Sequence, residues 1–98
     1  MNLQGLDRED LERRLREAFG GEPGERRAVA RAAADLADSE RYLADAGIEI
    51  TPEFVVAELG DAPWGTPSDR WNWWMNALQV AYGGYEAFTV RQWETVEE

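Results

Sequence analysis

The sequence predicts an all-α fold: a small bundle of four to five helices, with at most a minor two-stranded ribbon, in one domain over residues 1–98. Three observations predict it. Apolar residues recur at helical spacing in separate stretches. Several stretches open on a capping residue or an N1 proline. Most close on glycine. The chain has 98 residues, 44% of them hydrophobic. A chain this long can bury about 65% of its unfolded surface, enough for a core without covalent staples.

The first helix is expected from Asp7, an N-cap, to Phe19 before Gly20-Gly21. Leu11, Leu15 and Phe19 form its apolar stripe, with Ala18 beside them. Glu9–Arg13, Asp10–Arg14 and Glu12–Arg16 are acid-before-base pairs at i,i+4, each contributing about 0.2–0.5 kcal/mol in low salt. The second helix is expected to be the longest, Gly24 to Ala46, stopped by Gly47. Val29, Leu36 and Leu43 repeat every seven residues along it, with Ala32 and Ala33 between. A long bundle helix explains this seam better than a coiled coil, because three heptads are too few for the latter. Arg31–Asp35 and Arg41–Asp45 are further i,i+4 pairs.

Ile48-Glu49-Ile50 reads as a short extended link. Thr51-Pro52-Glu53 opens a third helix, Pro52 to Leu59, with Thr51 as N-cap, proline at N1 and an acid in the first turn. Phe54, Val55, Val56 and Leu59 supply its buried side, and Gly60 ends it. Residues 61–67 (DAPWGTP) are a loop punctuated by Pro63, Gly65 and Pro67. Thr66 or Ser68 then caps a fourth helix, about Asp69 to Tyr82, closed by Gly83-Gly84. The remainder reads two ways. Thr89 and Gln92 fit a capping box for a helix over Val90–Val96. Phe88 and Val90 also fit a strand beside Ile48–Ile50. The helix is the preferred reading.

Composition narrows the chemistry. The chain has no Cys and no His; its ten cationic side chains are all Arg, against twenty acids, for a net charge of −10. Without Cys there are no disulfides or thiolate metal sites. Without His there is no imidazole base and no histidine ligand. Without Lys there is no Schiff base and no phosphate-loop lysine. No enzyme, cofactor or metal site is therefore expected. The acids on the second helix lack calcium-loop spacing, and a hard cation needs six or more converging oxygens. The net charge opposes nucleic acid and anionic membrane surfaces. No apolar run nears the ~20 residues of a spanning helix. Met1 to Asp10 lacks the basic and apolar regions of a secretory signal, so a cytoplasmic location is expected. The acidic, lysine-free composition resembles that of proteins from salt-loving microbes, where molar salt screens self-repulsion within ~3 Å.

The two halves differ. Residues 1–47 hold eight Arg and two aromatics, whereas residues 48–98 hold two Arg and nine aromatics, including every Trp. On the fourth helix, Trp71, Trp74, Met75, Leu78 and Tyr82 share one face. Trp73, Ala77 and Val80 form a second apolar strip, and Asn72, Asn76 and Gln79 an uncharged polar one. Trp71, Trp74 and Leu78 are expected in the core with Leu36 and Leu43. Trp64 and Trp73, with Asn76 and Ala77, are the candidates for a partner-binding surface. Large rings contribute interface area with few rotatable bonds.

The leading expectation is a non-enzymatic protein-interaction module that self-associates, as a homodimer, or binds a protein partner through its aromatic half; the outcome competing with the homodimer is that the segment around Phe88 and Trp93 folds back and covers the fourth helix within one chain. The alternative is a small-ligand-binding protein or carboxylate-based enzyme. Its pocket would be lined by Trp, by Asn72, Asn76 and Gln79, and by Tyr82 or Tyr85, since amides offer donors and acceptors without charge. A third reading is an acidic decoy for a nucleic-acid-binding protein, and the Arg dispersed among the acids of the first two helices counts against it.

Overall fold

The computed structural model describes residues 6–93. Within them the chain folds into five α-helices and one 3₁₀ turn: α1 (Arg8–Phe19), α2 (Pro23–Ser39), α3 (Arg41–Ala46), α4 (Pro52–Gly60), α5 (Pro67–Ala81) and the turn Glu86–Phe88. There is no strand among the described residues, and the fold is all-α. Helix α1 packs on α2 and α4, and α5 packs on the same two, so four helices close a ring around the core. The 3₁₀ turn wedges between α2 and α5.

Local chemistry sets most boundaries. Asp7 caps α1, its side chain accepting from Asp10 N, and Gly20 terminates the helix at φ 76°. Thr51 caps α4 by accepting from Phe54 N at 3.1 Å, with Pro52 at N1. Thr66, of the two candidate caps, precedes α5, and its N–H donates to Asp69 Oδ2 at 3.2 Å. Helix α5 starts two residues earlier than predicted because Pro67, with φ preset by its ring, takes the N1 position.

The long second helix is corrected. It breaks at Glu40, which adopts the left-handed conformation (φ 58°, ψ 16°). Ser39 Oγ donates to Leu36 O at 2.7 Å and accepts from Arg41 N at 3.1 Å, so one hydroxyl ends α2 and opens α3. The break rotates the heptad seam. Leu43, expected in the core, is 46% exposed, and Tyr42 is buried in its place.

The core runs through every helix: Leu11 and Leu15, Val29, Ala33 and Leu36, Tyr42, Val55 and Leu59, and Trp71, Trp74, Met75 and Leu78. Trp74 meets three rings edge to face, with centroids at 5.5 Å from Tyr42, 5.9 Å from Phe54 and 5.4 Å from Trp71. Such T-shaped geometry suits the ring quadrupoles.

Ion pairing differs in detail from expectation. Asp10–Arg14 forms at 3.0 Å and Arg41–Asp45 at 4.0 Å. Arg13, however, turns to Asp10 and Glu17 rather than Glu9, and neither Glu12–Arg16 nor Arg31–Asp35 closes. Arg14 instead reaches Glu53 on α4 at 3.2 Å. The ribbon partner for Ile48–Ile50 is not formed. Of the helix predicted over Val90–Val96, residues 90–93 are non-helical and the rest lie outside the described residues.

Candidate functional site

Helix α5 carries the residues that matter. Residues 71–74 read WNWW, and the fold gives the four side chains different roles. Trp71 is fully buried, and its Nε1–H donates to Phe88 O at 2.8 Å. Asn72 donates through Nδ2 to Val90 O at 2.7 Å and accepts on Oδ1 from Val90 N at 2.8 Å. Trp74 sits in the aromatic core. Trp73 alone points outward and is 42% exposed.

The chain after α5 turns back through Gly83 and Gly84, both at positive φ, and lies along the helix as a strap. Gln79 Oε1 accepts from Tyr85 N at 2.7 Å and Glu86 N at 3.2 Å. Trp71 and Asn72 then hold Phe88 and Val90, so three α5 side chains bind the strap's main chain. Tyr85 anchors it: the ring is fully buried and its hydroxyl donates to Asp45 Oδ2 at 2.7 Å. Burial and the Asp45 charge push the Tyr85 phenol well above its usual range. Arg41 packs across Gly84, whose φ of 85° is the left-handed conformation that favours glycine.

The predicted strip stays uncovered. Trp73, Ala77 and Val80 stand at i, i+4 and i+7, all exposed, Val80 to 89%, with exposed Asn76 alongside. Trp64, in the preceding loop, is 72% exposed, and neither its ring nor that of Trp73 stacks on another aromatic among the described residues. The amide stripe divides. Asn72 and Gln79 bond the strap, Gln79 from an exposed position, and Asn76 is exposed without a strap contact. Tyr85 is core, and Tyr82, placed on the buried face by spacing, is about half exposed because the helix ends beneath it.

Around this frame, Glu25 is the buried charge. It is 2% exposed, and Oε2 accepts from Ser68 N at 2.8 Å and Ser68 Oγ at 2.7 Å. The carboxylate thus lies in the first turns of α2 and α5 at once, where both dipoles favour it. Burial pushes this carboxyl up, yet hydrogen bonds from Thr66, Ser68 and Glu22 outweigh that and hold it below its usual range. Arg70 bonds Leu59 O, Ala62 O and Gly65 O, tying α4 and the following loop to α5. Burial raises the Tyr42 phenol and the Glu58 carboxyl. Among the described residues no three acids converge as metal ligands. The open clefts lie elsewhere, along α2 and the C-terminal segment. One of about 350 Å³ is bounded by Arg27, Arg31 and Trp93.

One sequence signal was missed. In a chain that is 31% charged, residues 71–85 carry no charged side chain. No helix among the described residues is long and apolar enough to cross a membrane. A family model described as the WNWW domain matches residues 1–79. No curated protein and no solved structure matches the chain.

Proposed function

The chain belongs to the WNWW domain family, and on that premise we propose that it is a non-enzymatic protein-interaction module that pairs with a second copy of itself through α5. The observation that carries this reading is the exposed, uncharged strip Trp73–Ala77–Val80 on a molecule of net charge −10. Two such molecules repel wherever acids meet. The strip is a place where their surfaces approach without that penalty, and interface centres are depleted in charge and enriched in aromatics.

The strip is self-complementary about a twofold axis. Trp73 and Val80 lie about 10.5 Å apart along the helix, with the small Ala77 between. Two antiparallel copies crossing at Ala77 set each Trp73 against the other's Val80, the reciprocal pattern a twofold interface requires. Asn76 lies at the rim of that contact. Trp64, exposed in the loop before α5, is a further ring that a partner could cover. The setting is proposed as cytoplasmic and salt-adapted, since molar salt screens the remaining acid–acid repulsion. Binding of a small ligand by the amide stripe is disfavoured, because Asn72 and Gln79 already bond the strap.

Light scattering at high micromolar concentration in molar potassium chloride tests the reading. Wild type is expected at twice the chain mass and Trp73→Glu at the monomer mass. The substitution falls on an exposed ring, so its thermal midpoint should match wild type's. A monomeric wild type overturns the proposal.

A further inference from the structure

The strap packs on the protein's own core. Its main chain is read by side chains. Gln79 accepts from two successive N–H groups, Trp71 donates to Phe88 O, and Asn72 bonds both the N–H and the C=O of Val90. Asn72 here does what a neighbouring strand does, satisfying donor and acceptor of one residue. Contacts of this kind do not depend on the sequence of the bound segment. Selectivity comes from the residues that turn inward. Tyr85 and Val90 are buried and Phe88 half-buried, whereas Glu86 and Ala87 face solvent. The strap also packs on α2, and a surface cleft of about 210 Å³ opens beside that contact, between Ala28, Arg31 and Ala32 and residues 87–92. The residues that read the strap, Trp71, Asn72 and Gln79, fall within the family-matched span, and the strap falls outside it.

We propose that the groove between α2 and α5 is a peptide-binding site whose in-chain occupant is residues 84–90. The partner it fits is an extended segment of another protein carrying Tyr-x-x-Phe-x-Val or a similar aromatic–aromatic–aliphatic pattern. The in-chain strap competes with it, because tethering holds the strap at an effective concentration of order millimolar. Gly83 and Gly84, both at positive φ, form the turn about which the strap would leave. This groove lies on a different face of α5 from Trp73, and the proposal stands apart from self-pairing.

The test uses the full chain and a fluorescein-labelled synthetic peptide of residues 84–93, followed by anisotropy. Phe88→Ala in the chain weakens its own strap, so the groove is empty more of the time. The peptide should then bind at least about tenfold tighter than to wild type. Adding Asn72→Ala should reverse that gain. A peptide with serine at the positions of Tyr85, Phe88 and Val90 should not bind, while one altered at Glu86 and Ala87 should bind unchanged. If Phe88→Ala loses its helical circular dichroism, Val90→Ala serves as the weakened chain. A folded, strap-weakened chain that leaves the peptide free at high micromolar concentration overturns the proposal. So does equal binding of the serine peptide. A strap-weakened chain that forms dimers and excludes the peptide would put a second copy in the groove and would also overturn it.

Discussion

Glu25 shows how one buried side chain can organise two helices. It serves α2 by sequence and α5 by contact, through the N–H and hydroxyl of Ser68. Glu25→Ala strands both donors in a buried place, and an expected loss of about 2–3 kcal/mol follows, measured by urea denaturation at neutral pH. The pH dependence has a defined sign. The folded carboxyl is held below its ordinary value of 4.5. Its stabilisation is therefore complete above that value and disappears as pH falls through the lower folded value. The stability gap between wild type and Glu25→Gln should be flat near neutrality and narrow in acid; a gap that widens in acid contradicts the assignment. At Trp74, truncation to Ala removes a ring packed against Tyr42, Phe54 and Trp71, and about 3–5 kcal/mol should be lost. An unchanged denaturation midpoint would contradict that packing. The core role of Trp74 is legible from spacing along α5. The Glu25–Ser68 contact is not, because it spans 43 positions and Glu25 reads as one more surface acid.

Elements whose ends are set by neighbouring residues are the ones a sequence displays. Asp7, Thr51 and the Pro67 loop act within three residues of the helix they start, so α1, α4 and α5 are legible almost to the residue. The α2–α3 break is not, because a glutamate in left-handed conformation has no composition mark. The energy that holds Glu40 there comes from burying Tyr42 against Phe54 and Trp74. Two outcomes follow from that balance. Glu40→Gly should raise stability by up to about 1 kcal/mol, because glycine takes φ > 0 without the strain of about 1–2 kcal/mol that other residues bear. Leu43→Ala should change the melting temperature far less than Tyr42→Ala. A straight α2–α3 helix would give the reverse order, with Leu43 the sensitive position. A fold-back of the segment around Phe88 over the fourth helix was legible as an alternative, but its irregular backbone was not. Thr89 and Gln92 match a capping box, but the Asn72 amide takes both the N–H and the C=O of Val90, the first residue of that expected helix, and holds it in an irregular segment.

At the scale of the whole molecule, charge governs behaviour. Twenty acids against ten arginines repel in dilute buffer, and added salt shortens the range of that repulsion from about 10 Å at 0.1 M to about 3 Å at 1 M. The melting temperature should rise between those concentrations of potassium chloride, most steeply at the low end. Equal melting temperatures would remove the salt-adapted reading. The all-α class and the exposed Trp73 strip were legible from periodicity, whereas the uncharged run 71–85 becomes meaningful only once α5 is seen to leave one face open. That open face is the central claim, and the lack of native cysteine allows a direct test. Ala77→Cys places one thiol at the proposed twofold axis, where facing Cα atoms must approach within about 4.4–6.8 Å to form a disulfide. Under mild oxidation this variant should crosslink rapidly to a covalent dimer, while Asp38→Cys, exposed on α2, stays monomeric. Crosslinking of Ala77→Cys no faster than Asp38→Cys would contradict the claim that α5 pairs across Ala77.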